Sequence, residues 1–260
     1  MTETAAQASA CALDVEHREA FARDGFVVVR QLFCARTMQD LSRWTDEVVA
    51  LEERPARHMV YYEDNLNDLR QRVLSRIENF CPYHAQLDTL LNSECVLRLI
   101  STLLGERAVM FKDKINFKMP GSDGFKSHQD VQAGWDRYAS LHLTMLLSID
   151  SATPDNGCLE LAAGVHRAGL LGESWKPLDD ESSRLRYIAC PTEPGDAVFF
   201  DSFVPHRSAA NFTDAARRVL YVTYNAHSQG DHRKQYYVDK RLSYPPDIER
   251  EPGQDYVFRV

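Results

Sequence analysis

The chain has 260 residues, 44% of them hydrophobic, which is enough for one large domain with a substantial core. Its 38 acidic and 30 basic residues give a formal net charge of −8, and lysine and arginine never form a run longer than a local pair. This pattern argues against a nucleic-acid or anionic-membrane partner and is typical of a soluble enzyme.

The six cysteines are widely scattered and include no Cys-x-x-Cys pair, so neither a zinc knuckle nor a disulfide framework is indicated. Buried free thiols in a reducing compartment are the expectation. The first residues lack a basic segment followed by an apolar run, and no 18-residue apolar span occurs in the chain. We therefore expect a cytoplasmic protein without an export signal.

Helical patterns dominate the first hundred residues. Asp14 is suited to cap a helix that stops at Gly25, and Phe26–Val29 is predicted to be a buried strand. A second helix is predicted from Thr37 onward, because apolar residues recur there at helical spacing, and a further helical block spans residues 83–104.

The hydrophobic period changes after residue 105. Short apolar or alternating runs rich in β-forming residues follow at residues 109–111, 115–118, 141–149, 197–200 and 219–224. Turn signals such as Pro120-Gly121 and Asn156-Gly157 separate these runs. Helices followed by many short strands predict a mainly β fold, an antiparallel sandwich or jelly roll with helices against one face.

This pattern also predicts how the chain is organised. A disordered tail over residues 1–13 is expected to precede a single domain over residues 14–260. Within the domain we expect a helical buttress at about 14–105, a β-core at about 106–226 and a C-terminal covering segment at 227–260. The covering segment would be an ordered layer or a lid.

A histidine and a carboxylate stand two residues apart in segment 125–130. In an extended segment residues i and i+2 point to the same side, so His128 and Asp130 can direct an imidazole and a carboxylate to one point. The pair alone is a weak signal, because most such pairs are ordinary hydrogen-bonding partners.

His206 is a third candidate ligand, at the far end of the strand predicted at 197–200. Two histidines and one carboxylate on one face of a metal leave positions open, which is the geometry of non-haem Fe(II) oxygenases. A zinc hydrolase is the competing interpretation, but zinc usually takes a tetrahedral site with one open position. On the next strand, Arg217 offers a planar fork for the remote carboxylate of a keto-diacid that chelates iron, while Arg218 is expected to face solvent.

The ordered combination of these residues resembles the phytanoyl-CoA dioxygenase family of Fe(II)- and 2-oxoglutarate-dependent oxygenases. The matching pattern is His128-Gln129-Asp130, then Asp155-Asn156-Gly157-Cys158-Leu159 with Gly164-Val165-His166, then Pro205-His206 with Ser208 and Arg217. The resemblance covers residues 14–225 and implies a double-stranded β-helix, a jelly roll of cupin-like form. It implies iron bound by His128, Asp130 and His206, and 2-oxoglutarate contacted by Arg217, Ser208, Gln129, Lys114 and Asn116.

The resemblance also implies the reaction. O2 and 2-oxoglutarate would be cosubstrates, a C–H bond of a small-molecule metabolite would be hydroxylated, and succinate and CO2 would be released. The carboxylate of Asp130 argues against halogenating relatives, which need a small residue there to free a site for chloride. Leu146 stands where some members have a tryptophan that contacts the cosubstrate. A non-catalytic protein that binds 2-oxoglutarate without turnover is the alternative from another class.

The substrate is predicted from cationic and aromatic residues near the site strands. The candidates for substrate contact are Lys112, Lys126, Trp135, Tyr138, Arg207, Asn225 and Arg241. Cations beside an iron centre in an acidic protein would suit a small anionic substrate, whereas solvated surface lysines are the ordinary alternative.

Two segments, residues 111–135 and 240–247, are also similar to bacterial relatives of the aminoethylphosphonate hydroxylase type, and this similarity favours an aminoalkylphosphonate. The alternative is a natural-product tailoring oxygenase that performs hydroxylation, desaturation or cyclisation, which the aromatic residues would serve as well. We expect a monomer or homodimer whose partner is a small molecule, with no nucleic acid or membrane bound.

Overall fold

The structure of the protein is a computed structural model that describes residues 12–179 and 184–256. Its α-helices are α1 (Val15–Asp24), α2 (Ala35–Val49), α3 (Ala85–Leu91), α4 (Glu94–Leu104) and α5 (Arg233–Ser243). Its strands are β1 (Phe26–Val29), β2 (Met59–Asn65), β3 (Asp68–Glu78), β4 (Ala108–Lys118), β5 (Phe125–His128), β6 (His142–Ser148), β7 (Leu159–Ala162), β8 (Tyr187–Cys190), β9 (Ala197–Asp201), β10 (His206–Ser208) and β11 (Arg217–Ala226).

The strands form two antiparallel sheets. The larger sheet has the order β1-β9-β6-β11-β4-β3-β2, and the smaller one has the order β5-β10-β7-β8. Neighbours in these orders are mostly distant along the chain, as the crossing connections of a jelly roll require. The predicted mainly β jelly roll is therefore confirmed.

Side-chain alternation divides the larger sheet into two faces. Leu147, Phe199 and Leu220 join a buried cluster with residues of α2, α3 and α4. Their chain neighbours Leu146 and Phe200, together with other residues, form a separate cluster with the smaller sheet. Successive strand residues point to opposite faces, so helices α2, α3 and α4 cover one face of the larger sheet and the other face is turned toward the site.

The helix ends follow local capping chemistry. The Asp14 carboxylate accepts a hydrogen bond from the His17 amide at 2.8 Å, and Gly25 ends α1 in the left-handed region at φ 82°, as predicted. The single block predicted at 83–104 is instead two helices. Ser93 accepts from the Val96 amide and so begins α4 as a new helix.

Strands β2 and β3 form a hairpin where the sequence predicted mainly helix. Charged residues occupy much of β3 and mask its alternation, although the run Met59–Asn65 begins with β-forming residues. β3 pairs with β4, with Arg76 opposite Asn116 and Glu78 opposite Lys114. The hairpin therefore carries Arg76 and Glu78 to the sheet that builds the site.

Three further expectations concern the tail, the cysteines and membrane-spanning segments. Residues 1–11 of the predicted tail lie outside the described ranges, while Leu13 is buried in the core. Cys34, Cys81, Cys158 and Cys190 are free thiols, but Cys95 is disulfide-bonded, so the free-thiol expectation is wrong for Cys95. Within the described residues, no helix has both the length and the apolar character that a bilayer span requires.

Candidate metal centre and active-site cavity

The three predicted metal ligands converge at one edge of the smaller sheet. Ligand atoms of His128, Asp130 and His206 all lie within 4.8 Å of one another. His128 ends β5, His206 begins β10, and the two residues face each other in the antiparallel register. Asp130 begins a 3-10 turn, Asp130–Ala133, so a turn rather than a continued strand brings its carboxylate to the imidazoles.

Backbone carbonyls orient both imidazole rings. His128 Nδ1 lies 2.7 Å from the Lys126 carbonyl oxygen, and His206 Nδ1 lies 3.0 Å from the Val204 carbonyl oxygen. A carbonyl oxygen can only accept, so Nδ1 carries the hydrogen in both rings and Nε2 is left with its lone pair. His206 Nε2 lies 3.9 Å from an Asp130 carboxylate oxygen.

The charge states of these groups suit a metal. Burial, reinforced by His206, lowers the pKa of His128 to about 3, so this imidazole is neutral. Burial opposes ionisation of Asp130, but His206 and His128 outweigh burial and hold the Asp130 pKa below its usual value. Thr144 donates a hydrogen bond of 3.2 Å to the Asp130 carboxylate. Two imidazoles and one carboxylate are the donor set that Fe(II) takes in oxygenases, and the residues present fit that ion.

Arg217 is a buried cation without a carboxylate partner among the described residues. It lies on β11, where its guanidinium donates to the backbone carbonyls of Asn156 at 3.3 Å and Gly157 at 3.0 Å. Burial lowers the pKa of Arg217. A buried guanidinium is stabilised by a planar anion that accepts two hydrogen bonds, so its surroundings fit the carboxylate of a keto-diacid.

Lys118 forms a basic pair with Arg217, although it was not among the predicted site residues. It faces Arg217 in the β4–β11 register, and its ammonium donates to Ser208 Oγ at 2.8 Å and to the Ala209 carbonyl oxygen. Burial and the nearby Arg217 lower the pKa of Lys118 to about 7. The missed signal is the alternation of Lys112, Lys114, Asn116 and Lys118, which places polar side chains on one face of β4.

A small cavity of about 30 Å³ lies beside the triad. Three predicted cosubstrate residues line it: Lys114, Asn116 and Ser208. The Lys114 ammonium lies 4.8 Å from the centroid of the Tyr221 ring. Burial, and to a smaller extent the positive charge of Lys112, lowers the pKa of Lys114 well below its usual value. The side-chain oxygen of Asn116 is buried and has no hydrogen-bond partner within the described ranges. The cavity therefore joins the metal ligands to a basic and polar wall.

Gln129 is engaged elsewhere. Its amide nitrogen donates to the carbonyls of Gly169 at 2.8 Å and Phe203 at 2.7 Å, while its amide oxygen accepts from the Leu171 amide at 2.8 Å. All three bonds hold loop backbone next to the triad. Gln129 lies beside the site because it stands between His128 and Asp130 in the chain. Its hydrogen bonds, however, go to the backbone of the loops.

A larger cavity of about 260 Å³ opens beside His128 and Asp130. Its wall carries five basic side chains, not all of which were predicted: Arg76, Lys112, Lys114, Arg137 and Lys240. Besides Asp130, two acids line it: Glu78 and Asp239. Aromatic side chains complete much of the lining: Phe125, Trp135, Trp175, Tyr236 and Tyr244. Arg76, Glu78 and Lys240 are far apart in the chain and lie on elements that sequence patterns did not connect to the metal ligands.

Glu78 holds two of these cations. Its Oε1 atom lies 3.0 Å from Arg76 Nε and 3.1 Å from Lys240 Nζ. Burial would raise the pKa of Glu78, but Lys240, Lys112 and Arg76 together hold it well below its usual value. Burial lowers the pKa of Lys240 to about 7, although Glu78 opposes that shift. Five basic side chains against three acidic ones give the wall a formal excess of positive charge.

Helix α5 forms one side of the larger cavity. Tyr236, Asp239, Lys240 and Ser243 line the cavity, and their spacing of three and four residues places them on one face of the helix. Arg233 and Tyr237, near the start of the helix, both bond the fully buried carboxylate of Asp113 on β4. The predicted covering segment therefore contains a helix tied to the larger sheet.

The structure separates the predicted substrate residues into two groups. Lys112 and Trp135 line the larger cavity, with the Lys112 ammonium 4.9 Å from the centroid of the Trp135 ring. Tyr138 donates to Asp239 just behind the lining.

Four other predicted substrate residues do not line the larger cavity. Lys126 is exposed and lines neither cavity. Arg207 pairs with Glu160 at 2.8 Å and lines only the small cavity. Asn225 donates to the carbonyls of Ala226 and Gly230, and Arg241 pairs with Glu249. Adjacent strand residues point to opposite faces, so a position close to a motif in the sequence does not by itself bring a side chain into the cavity.

Comparison with known proteins agrees with this geometry. The sequence model of the phytanoyl-CoA dioxygenase (PhyH) family matches residues 21–219. A 2-aminoethylphosphonate dioxygenase from uncultured bacterium HF130_AEPn_1 is 39% identical over 246 residues, which are 93% of this chain and 92% of the relative. A methylphosphonate hydroxylase from Gimesia maris is 35% identical over 222 residues, which are 85% of this chain and 84% of the relative.

A solved structure with the same fold is that of EctD from S. alaskensis with 2-oxoglutarate and 5-hydroxyectoine. It superposes with a TM-score of 0.70 at 22% identity, over 84% of this chain and 77% of EctD. EctD has also been crystallised with bound Fe. The chain belongs to the phytanoyl-CoA dioxygenase (PhyH) family and is a non-haem dioxygenase that depends on Fe(II) and 2-oxoglutarate.

Proposed function

We propose that this dioxygenase hydroxylates a small organophosphonate, with 2-aminoethylphosphonate as the first candidate. The observation that carries the proposal is the excess of basic side chains in a cavity that adjoins His128 and Asp130. A phosphonate offers three oxygen acceptors and carries up to two negative charges, so a cluster of lysine and arginine side chains suits it. The two phosphonate-oxidising relatives support the same substrate class.

In this proposal His128, Asp130 and His206 hold the iron. Arg217 binds the remote carboxylate of 2-oxoglutarate with help from Lys118 and Ser208, which lie beside it. When bound, iron with O2 and 2-oxoglutarate supplies the oxidising chemistry, in which 2-oxoglutarate becomes succinate and CO2 and one oxygen atom enters the substrate.

Lys114 and Asn116 complete the proposed cosubstrate contacts, because both line the small cavity beside the triad. Gln129 is left out of this set, since its amide already bonds three backbone groups.

The basic and aromatic side chains of the larger cavity would bind and orient the substrate. Lys112, Lys240 and Arg76 would hold the phosphonate oxygens, and this fixes which carbon is turned toward the metal ligands. Trp135 and Tyr236 are buried and would keep water from the carbon to be oxidised. The chain's own contribution is therefore placement and exclusion of water rather than a proton transfer.

The size of the cavity weighs against the tailoring alternative. Pockets for drug-sized ligands usually occupy roughly 300–1,000 Å³. The larger cavity, at about 260 Å³, is below that range and its wall is rich in charge. The aromatic lining would accept an apolar metabolite, but such a ligand would leave the formal excess of basic side chains without a counter-charge.

A substrate panel tests the proposal. The purified enzyme would be incubated aerobically with Fe(II) and 2-oxoglutarate, together with phosphonates, matched carboxylates, amino acids, acyl thioesters or polycyclic metabolites. We expect succinate release to rise above the substrate-free rate with small phosphonates, and above all with 2-aminoethylphosphonate. Release stimulated only by a polycyclic metabolite or an acyl thioester would refute the phosphonate proposal.

A pair of lysine variants sharpens this test. Lys112→Met removes a cation from the cavity wall, whereas Lys126→Met removes an exposed one outside it. We expect Lys112→Met to raise the KM for the phosphonate by about tenfold or more, and Lys126→Met to leave it unchanged. Equal effects of the two substitutions would argue against a phosphonate in this cavity.

We also propose a cytoplasmic enzyme built as a single domain over residues 14–260, acting as a monomer or homodimer on its small-molecule substrate without nucleic acid or membrane partners. The four free cysteines Cys34, Cys81, Cys158 and Cys190 and the acidic net charge of −8 support this, whereas the disulfide-bonded Cys95 does not. Size-exclusion chromatography with light scattering would distinguish monomer from dimer.

A further inference from the structure

The two carboxylate oxygens of Glu78 have different surroundings. Glu78 is fully buried, and its Oε1 atom faces both Arg76 and Lys240. Its Oε2 atom is also buried, yet it has no hydrogen-bond partner among the described residues. Glu78 lines the larger cavity, which adjoins the metal ligands.

An ionised carboxylate oxygen that is buried without a donor is unfavourable, and such groups in native proteins usually have a partner. Neighbouring cations hold the pKa of Glu78 well below its usual value, so the carboxylate is charged. A phosphonate oxygen would be repelled by Oε2, because both atoms are acceptors that carry negative charge. A ligand ammonium group would satisfy Oε2, and it carries the charge that the carboxylate favours.

We propose that Glu78 binds the ammonium group of an aminoalkylphosphonate and thereby makes the enzyme prefer this zwitterion to plain alkylphosphonates. The inference rests on the proposed function. The phosphonate contacts the cations of the wall, and the amine at the other end of the short chain donates to Glu78 Oε2. One cavity with both a basic wall and a buried carboxylate oxygen that lacks a hydrogen-bond donor among the described residues matches the two opposite charges of the ligand.

A second acid in the same cavity offers a matched control. Asp239 also lines the larger cavity, but both of its carboxylate oxygens already accept hydrogen bonds. Tyr138 donates to Oδ2, Gln235 donates to Oδ1 at 2.8 Å, and an Arg137 nitrogen lies 3.4 Å away. Asp239 is therefore satisfied without a ligand, and we assign it no part in binding the ammonium group.

Binding to two ligands of equal shape tests the assignment. 2-Aminoethylphosphonate ends in an ammonium group at the position where propylphosphonate has a methyl group. Calorimetry would use the enzyme loaded with Fe(II) and 2-oxoglutarate in the absence of O2. We expect the wild-type enzyme to bind 2-aminoethylphosphonate about 10- to 150-fold more tightly than propylphosphonate, the range expected for a hydrogen bond to a charged group.

Two substitutions then locate the origin of the preference. Glu78→Gln should weaken binding of 2-aminoethylphosphonate by about tenfold or more, while it leaves or tightens binding of propylphosphonate, because the cations lose their resident counter-charge. Asp239→Asn should change neither affinity. Glu78→Asp, which keeps the charge but withdraws the oxygens, should also reduce the preference and serves if Glu78→Gln fails to fold.

Other outcomes overturn the assignment in recognisable ways. Equal weakening of both ligands by Glu78→Gln would make Glu78 only a counter-ion, and loss of preference in Asp239→Asn would move the ammonium site to Asp239. Equal wild-type affinity for the two ligands would refute the role of Glu78 while the phosphonate proposal stood. Failure of the wild-type enzyme to bind either phosphonate would refute the proposed function and this inference with it.

Discussion

Arg217 and Arg218 are neighbours in the chain with opposite surroundings. Arg217 is buried beside Lys118 and bonds only backbone carbonyls, whereas Arg218 is partly exposed and pairs with Asp150 and Asp46 at 2.8 Å. The prediction that the two side chains face opposite ways agrees with this geometry, although Arg218 is ion-paired rather than simply solvated. Alternation along a strand is enough to separate their roles.

Replacement of these two arginines tests the cosubstrate contact. Arg217→Leu should raise the Kd for 2-oxoglutarate at least about 30-fold, because loss of one partner of a buried charge pair costs about 2 kcal/mol or more. Arg218→Leu should leave that Kd unchanged and lower only the thermal stability. Calorimetric titration of 2-oxoglutarate into the iron-loaded variants measures both; an unaltered Kd in Arg217→Leu would move the cosubstrate role elsewhere.

The lowered pKa of Lys118 predicts that the binding of 2-oxoglutarate depends on pH. Without cosubstrate its pKa lies at about 7, below the usual value for lysine, because it is buried beside Arg217. A bound carboxylate favours the protonated form, so affinity for 2-oxoglutarate should be full below pH 7 and fall as pH rises above it, by at most about tenfold per unit. Titrations between pH 6 and pH 9 would measure this fall.

The control for this prediction is Lys118→Met, which removes the titrating group while Arg217 stays charged. The variant should bind 2-oxoglutarate more weakly at pH 6 and with little dependence on pH. A wild-type affinity that stays constant or increases from pH 6 to pH 9 would contradict a role for Lys118 in binding the carboxylate.

Local order in the chain predicts some of the proposed site residues. His128, Asp130 and His206 are predicted because ligand types recur in a fixed order, and Arg217 because it begins the strand after the last ligand. Arg76, Glu78 and Lys240 were not found, because only the pairing of β3 with β4 and the docking of α5 bring them together. Such contacts depend on tertiary structure, and no short pattern in the chain records them.

At the scale of elements, helix α5 is fixed to the sheet at one end. The Asp113 carboxylate on β4 accepts from Arg233 and Tyr237 of α5 and from the backbone amides of Phe80 and Cys81. This carboxylate is fully buried, so its hydrogen bonds are expensive to break. The geometry favours an ordered wall over a mobile lid.

Loss of this connection should loosen the helix. Breaking a buried ion pair by removal of one partner typically costs about 3–5 kcal/mol, so Arg233→Leu should greatly increase hydrogen–deuterium exchange in α5 and raise the KM for the substrate. Iron affinity should be unchanged, because the metal ligands lie on other elements. Rapid exchange of α5 in the wild-type enzyme would instead identify the helix as a lid.

The elements themselves were predicted unevenly, for physical reasons. α1 and β1 were correctly bounded because Asp14 and Gly25 supply strong local capping signals. The β2–β3 hairpin was missed because charged residues line β3, and its strand identity depends on pairing with β4. Helices α3 and α4 were merged because their apolar spacing continues across the cap residue Ser93.

At the scale of the whole molecule, the charge around the site has the opposite sign to the net charge of the chain. The chain carries a net charge of −8, yet basic side chains outnumber acidic ones in the wall of the cavity beside the metal ligands. Buried cations are unfavourable without an anion, so their concentration at one site indicates what the site binds. The same fold serves many substrates within this class of enzymes, and the cavity wall rather than the jelly roll distinguishes this chain.

The most direct test of the account follows the two atoms of O2. The enzyme would be supplied with 18O2, Fe(II), 2-oxoglutarate and 2-aminoethylphosphonate, and both products would be examined by mass spectrometry, with Asp130→Ala as the inactive control. We predict equal amounts of succinate and hydroxylated phosphonate, each with one 18O atom, and neither product from the variant. Succinate without hydroxylated phosphonate, or product formation that survives in Asp130→Ala, would contradict the central claim.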